Sequence, residues 1–335
     1  MRVPLLLACL LTLSSLRFTS AETLSLWLGT TTPQGGQSQG IYRCDFDTET
    51  GSLTPPTLAA SIRSPGFLTQ HPSLPILYSV CQLPEGGGPG VAAWQIGKTA
   101  SLQLLSTQPI ADGGATHLAI DAQGQFLFTA QYGSGSVAMF PIDSEGLIQP
   151  RCDLKKHTGN GPDPSRQRSP HPHWVGVDPS DQFLMVPDLG IDEVVVYRID
   201  RSKKQLVPQG GGQVPPGAGP RHMKFHPNGK WAYVLNEMAL SVTHFDYTST
   251  TGALAPKATV IALPQDEYTY SEILDEWMCD WKISRIYSVL PKFKELIYPK
   301  FIKNGEIKEG FTMYINKKLI NKFKNKETNY REIDV

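Results

Sequence analysis

Four segments of this chain align on one another: LTQHPSLPILYSV (68–80), LAIDAQGQFLFTA (118–130), VGVDPSDQFLMVP (175–187) and MKFHPNGKWAYVL (223–235). Each reads as an apolar strand, a short polar turn and a second apolar strand. With His71, Asp121, Asp178 and His226 as equivalent positions, the spacings are 50, 57 and 48 residues. A third strand follows in every unit: VAAWQI (91–96), VAMFPID (137–143), VVVYRID (194–200) and VTHFDYT (242–248). GIYRCDFDTETGSL (40–53) is the same third strand in an earlier, partial unit, and segments such as LQLLSTQP (102–109) supply an outer fourth. Tandem recurrence of four short strands at this period is the signature of propeller blades. One such sheet cannot bury both faces, so successive sheets must stack around a common axis. A β-sandwich has turns every 8–12 residues without a long repeat, and the period argues against it. The expectation is an all-β chain, a β-propeller with four to five recognisable blades.

The repeat ends abruptly. Residues 268–335 contain only Gly305, Gly310, Pro291 and Pro299 of the chain's 30 Gly and 27 Pro. This tail is rich in Lys, Ile and Asn, and it shows no turn-strand-strand unit. Ile273, Trp277, Trp281 and Ile286 fall near one face of a helix, so a helical segment is expected there. Two readings stand: an ordinary C-terminal extension, or unrelated sequence in place of further blades. Either way the division is 1–21, 22–266 and 267–335, with the tail outside the propeller. At the other end, Arg2, the apolar run Val3 to Leu16 and the small residues up to Ala21 describe a secretory signal peptide over 1–21. The alternative is a buried first strand. A secreted or periplasmic location follows from the first reading, with no membrane association after cleavage.

Formal net charge is zero, with 31 basic and 31 acidic residues, so nothing points to nucleic acid or a membrane surface as a partner. None of the five cysteines stands in a Cys-x-x-Cys pair, and no zinc or redox motif is indicated. Phosphate loops, nucleophile elbows and dinucleotide fingerprints are also absent. No metal and no cofactor is expected.

The repeat itself locates a candidate site, because equivalent residues lie at equivalent places around the axis. Five places before the reference residue stand Gly66, Thr116, His173 and Arg221, and four places before it stand Phe67, His117, Trp174 and His222. Strand alternation puts the two sets on opposite faces. Five places before the third-strand valines stand Tyr132, Leu189 and Glu237. One position filled by small residues in two blades becomes His and Arg in the next two, which packing alone would not ask for. His173, Arg221 and Glu237 are the candidate catalytic residues. His71 and His226, each followed by proline, are read as turn residues, and His157 has no assigned role.

SPHPHWVGVDPSDQFLMVPDLGIDEVVVYRID (169–200), GAGPRHMKFHPNGKWAYVLNEMALSVTHF (217–245), AQYGSGSVAMFPI (130–142) and LGTTTPQGGQSQGIYRCDFDTETGSL (28–53) resemble the lactonase family of seven-bladed propellers. That family includes propeller-type 6-phosphogluconolactonases and a carboxymuconate cyclase. The resemblance covers residues 24–266. It implies a His, an Arg and a Glu in the site, carried to His173, Arg221 and Glu237, and a further Arg on a later blade that has no match here. It also implies hydrolysis of a small-molecule sugar lactone without metal. An imidazole can take a proton from attacking water. An Arg fork can hold an anion or a developing oxyanion. Which group is the base is open at this stage. A lactonising cycloisomerase and a non-catalytic binding propeller are the alternatives.

Overall fold

A computed structural model of the chain describes residues 23–97 and 101–262, together with 302–303, 306–307 and 311–314 of the tail. The expected signal peptide and the helix expected over residues 273–286 lie outside the described residues.

Among the described residues the strands form five antiparallel four-stranded sheets, four of them from consecutive segments, and one two-stranded sheet. The second sheet runs β4 (Leu68–Gln70), β5 (Ile76–Gln82), β6 (Pro89–Ile96) and β7 (Leu102–Pro109). The third runs β8 (His117–Ile120), β9 (Phe126–Gln131), β10 (Ser136–Pro141) and β11 (Asp153–Lys156). The fourth runs β12 (Gly176–Val177), β13 (Phe183–Asp188), β14 (Glu193–Asp200) and β15 (Gln205–Gln213). The fifth runs β16 (Pro220–Phe225), β17 (Trp231–Asn236), β18 (Ser241–Thr248) and β19 (Ala253–Ile261). The third strands therefore carry Val137, Val194 and Val242, as the repeat requires, and LQLLSTQP is the outer strand of its sheet.

The first sheet is made differently. β1 (Thr23–Thr30), β2 (Gly40–Asp47) and β3 (Thr57–Ser61) come from the start of the repeat region. Its innermost strand is β22 (Phe311–Tyr314), which pairs antiparallel with β1 from Trp27–Tyr314 to Thr30–Phe311. The tail also forms a small two-stranded sheet from β20 (Ile302–Lys303) and β21 (Glu306–Ile307). Within the tail, β22 thus supplies one inner strand to the first sheet. A four-residue strand carries too little periodicity to be read from sequence.

Strand alternation explains why the sheets stack. On β9, Leu127 packs toward the second sheet with Tyr78, Val91 and Phe140, whereas Phe126 and Phe128 pack toward the fourth with Leu184 and Val186. On β13 the neighbours Phe183 and Met185 turn the other way, onto Val234, Phe245 and Leu254 of the fifth sheet. Each sheet thus shares an apolar layer with each described neighbour, and every fully buried Leu, Phe or Val contributes about 1.5–3 kcal/mol. The inner strands β22, β4, β8 and β12 lie against one another in that order, and β16 lies against β13, which defines the common axis.

The reference positions of the repeat are turn anchors. The backbone N–H groups of His71, Asp121, Asp178 and His226 each donate to the carbonyl five residues on, Ile76, Phe126, Phe183 and Trp231. The side chains close the same turns. Asp121 Oδ1 accepts from the backbone N–H groups of Gln125 and Phe126, and Asp178 Oδ1 from those of Gln182 and Phe183. His71 Nδ1 accepts from Ser73 and Leu74, and His226 Nδ1 from Asn228. The two His-Pro pairs are structural, as expected.

Candidate functional site

The His173, Arg221 and Glu237 positions come together at one end of the inner strands, and each is placed by a specific backbone device. Glu237 follows β17 directly, and its N–H donates to Gly219 O at 2.8 Å. Arg221 lies in β16 at a β-bulge: Pro220 pairs with Asn236 and His222 with Leu235, so Arg221 is the extra residue. A bulge re-aims the side chain it carries, and here the Arg221 Nη1 donates to Glu237 Oε2. The turn before β16 is fixed by the buried Asp192, whose Oδ2 accepts from Gly217 N at 2.7 Å and Oδ1 from Gly219 N at 2.8 Å.

His173 stands just before β12 in the long segment 157–175. Its N–H donates to Pro187 O at 3.0 Å, and its carbonyl accepts from Thr116 Oγ1 at 3.3 Å. Two residues back, His171 N donates to the buried Asp188 at 2.6 Å. The other oxygen of Asp188 meets His157 Nδ1 at 2.6 Å, with both side chains almost fully buried. His157 therefore has a place after all: it ties the end of β11 to the carboxylate that anchors the His171–His173 segment.

Two residues outside the expected trio complete the cluster. Arg166 Nη2 donates to Glu237 Oε1 at 2.8 Å and to the Tyr132 hydroxyl at 3.2 Å. Glu237 is thus gripped by a guanidinium on each oxygen, from the fifth sheet and from the 157–175 segment. The Tyr132 ring lies 5.5 Å from that of His173, edge to face, and stacks on His171 at 4.5 Å. Tyr132 was visible in the sequence as the repeat equivalent of Glu237. Arg166 was not, since it lies on no strand, but a signal existed. The longest spacing in the repeat, 57 residues between Asp121 and Asp178, falls across the segment that carries it.

The second set, on the opposite strand faces, also gathers at the axis. Phe67, His117, Trp174 and His222 converge, with His117 ring centroids 3.8 Å from Phe67, 5.4 Å from Trp174 and 5.8 Å from His222. His222 in turn lies 5.4 Å from His173. Alternation separates neighbours along one strand, but inner strands of different sheets meet at the axis, so residues from the two sets become neighbours across sheets.

Electrostatics follows from this packing. Burial on its own would raise the Glu237 carboxyl, but Arg221, the hydrogen bond from Arg166 and the nearby His173 outweigh it and hold the group at about 2. Glu237 is a fixed anion at neutral pH. The thiols go the other way: burial pushes Cys44 and Cys152 to about 11 and Cys81 to about 12, and all three are free. None of these three is a thiolate nucleophile at neutral pH. Among the described residues no group of three or more His, Cys, Asp or Glu is placed to hold a metal ion.

A family model described as "Lactonase, 7-bladed beta-propeller" matches residues 25–276. The chain belongs to the lactonase family. Within it, this lactonase-family chain is 38% identical over 241 residues to the 6-phosphogluconolactonase of Bacillus subtilis, covering 72% of this chain and 67% of the relative. It is 33% identical over 223 residues to the 6-phosphogluconolactonase of Yersinia enterocolitica, covering 64% and 61%. Among solved structures it is similar to the periplasmic gluconolactonase of Pseudomonas aeruginosa, with a TM-score of 0.67 and 29% identity over 74% of this chain and 70% of that one. The chain thus spans about two thirds of the length of the curated relatives it matches. The five sheets described here are a similar share of the seven blades in the family's name.

Proposed function

We infer that this chain hydrolyses a sugar lactone of the 6-phosphogluconolactone kind. The observation that carries this reading is the buried Glu237 held between Arg221 and Arg166 next to His173, in a chain 38% identical to a 6-phosphogluconolactonase. The roles divide by charge. A carboxylate held at about 2 is a weak proton acceptor at neutral pH, so Glu237 orients the two guanidiniums. His173 is then the base, the neighbouring side chain whose chemistry allows it to take up and return a proton. It accepts a proton from water as the water oxygen bonds to the lactone carbonyl carbon. Arg221 faces the developing oxyanion. When the ring C–O bond breaks, His173 returns the proton to the leaving alkoxide, which gives a hydroxy acid. Export to the periplasm and action on an unphosphorylated lactone form a second reading, favoured by the similarity to the Pseudomonas periplasmic gluconolactonase and by the N-terminal residues 1–21.

Labelled water separates hydrolysis from cycloisomerisation. With 6-phosphogluconolactone in oxygen-18 water, one labelled oxygen is expected in the product carboxylate, appearing well ahead of the buffer control. Label appearing no faster than in buffer would remove the hydrolase reading.

A further inference from the structure

We propose that the buried Asp188–His157 pair is a positioning pair for His173, setting where the imidazole stands without touching the substrate. The inference rests on the lactone-hydrolase reading, which makes His173 the base, and deepens it.

His173 needs an outside hold because the strand that follows it is short. β12 has two residues, against three in β4, four in β8 and six in β16. The approach to it, Pro170-His171-Pro172-His173, carries two prolines, which have no N–H to give to a neighbouring strand. Backbone pairing with the β13 end is left with His173 N on Pro187 O at 3.0 Å and Leu189 N on His171 O at 3.1 Å. The His171 N–H goes instead to a side chain, Asp188 Oδ1, at 2.6 Å. The same oxygen accepts from Gly190 N at 3.0 Å. The docking is close, since a Cβ on Gly190 would collide with Ser169 O and His171 N. Gln167 anchors the earlier part of the segment, donating to Leu189 O and Asp192 Oδ1 at 2.8 Å. From Ser169 onward the hold passes to Asp188.

The carboxylate is held in turn from the third sheet. His157 follows β11, its N–H donates to Gly135 O at 2.8 Å, and its ring stacks on Tyr197. Asp188 Oδ2 and His157 Nδ1 meet at 2.6 Å, with side chains 0% and 2% exposed. A carboxylate oxygen only accepts, so Nδ1 carries the proton between them. The bond therefore ties the fourth sheet to the third at the level of His171. Tyr132, in the turn between β9 and β10, belongs to the third sheet. Its ring stacks on His171 and stands edge-on to His173, and its carbonyl meets His171 Nδ1 at 2.8 Å. The His171–His173 segment is docked on the fourth sheet, so the Asp188–His157 bond fixes how the imidazole stands against the Tyr132 ring. A carboxylate this deeply buried is costly unless its contacts are kept. The pair thus favours one arrangement, and a base held in one arrangement is ready for the attacking water.

His157→Phe keeps the ring volume and removes the Nδ1 donor, and His157→Asn puts a side-chain N–H back at the same place. Both are compared with wild type by turnover of 6-phosphogluconolactone and by carbon–proton NMR of the histidine rings, with His173→Ala marking the His173 signal. His157→Phe is expected to lower kcat about 10- to 100-fold, with KM within a few fold of wild type. Its His173 ring signal should shift or broaden, while those of His71 and His226 stay in place. His157→Asn should recover most of both changes. If His157→Phe does not fold, combining it with Asp188→Asn removes the buried charge together with its partner and keeps an acceptor for the two backbone N–H groups. The same losses are expected of that double variant. An unmoved His173 signal, whatever happens to the melting temperature, would mean that the pair only stabilises the fold, and would overturn the proposal. So would an unchanged kcat in an active enzyme. The spectrum needs no substrate, so a wild type that turns over no lactone but shows the His173 shift would remove the hydrolase reading and leave the positioning role standing.

Discussion

His173→Ala is expected to lower kcat/KM for lactone hydrolysis by roughly a hundred- to ten-thousandfold, the usual contribution of a positioned general base. The loss should fall mainly on kcat, because the imidazole acts on the attacking water and then on the leaving oxygen. Folding should be little changed. The segment is anchored by backbone bonds to Pro187 and Thr116 and by Asp188, none of which uses the imidazole. Steady-state kinetics with a thermal melt checks both halves. Turnover within a few fold of wild type would show that another group is the base.

Glu237→Gln is expected to destabilise the fold in a pH-dependent way. The folded carboxyl sits at about 2 against an ordinary value of 4.5. Because the folded value is depressed, the stabilisation is fully present above about pH 5 and is lost as pH falls through 4.5 toward 2. A shift of that size corresponds to about 3 kcal/mol at neutral pH. The side chain is only 3% exposed, so solvent screening takes little from it. Glutamine keeps the shape but cannot neutralise Arg221 and Arg166, and leaving charges unpaired in a largely buried site carries its own cost. Urea unfolding should show wild type ahead of the variant by about 3 kcal/mol at pH 7, with about half of that left near pH 3. A difference that does not change between the two pH values would mean that the guanidiniums do not hold the carboxylate down.

The two residues were open to sequence reading to different degrees. Glu237 and Arg221 occupy repeat positions, so counting from a reference residue finds them without any structure. The bulge that lets Arg221 reach Glu237 is invisible to such counting, because it adds a residue without breaking the alternation of types around it. His173 was legible for the same reason as Arg221, but its supports were not. Asp188 and His157 meet across 31 positions through a loop with no repeat counterpart. Arg166 and Gln167 lie in that same irregular stretch, where neither helical nor strand period applies. The blades were legible because every sheet obeys one pattern of apolar strands and polar turns. The inner strand of the first sheet was not, since Phe311–Tyr314 lies far along the chain from its partner β1, in sequence of different composition. Local regularity was readable, and long-range pairing was not.

In the proposed mechanism His173 is the base of a lactone hydrolase in which Glu237 stays ionised. The pH dependence of kcat/KM for 6-phosphogluconolactone, corrected for spontaneous ring opening, tests it most directly. The expected result is a rate well above the buffer control, with no rising limb in the carboxylate range near 4 or below and with His173→Ala reduced at every pH. A catalysed rate no higher than buffer, or a rising limb in the carboxylate range near 4 or below, would contradict it.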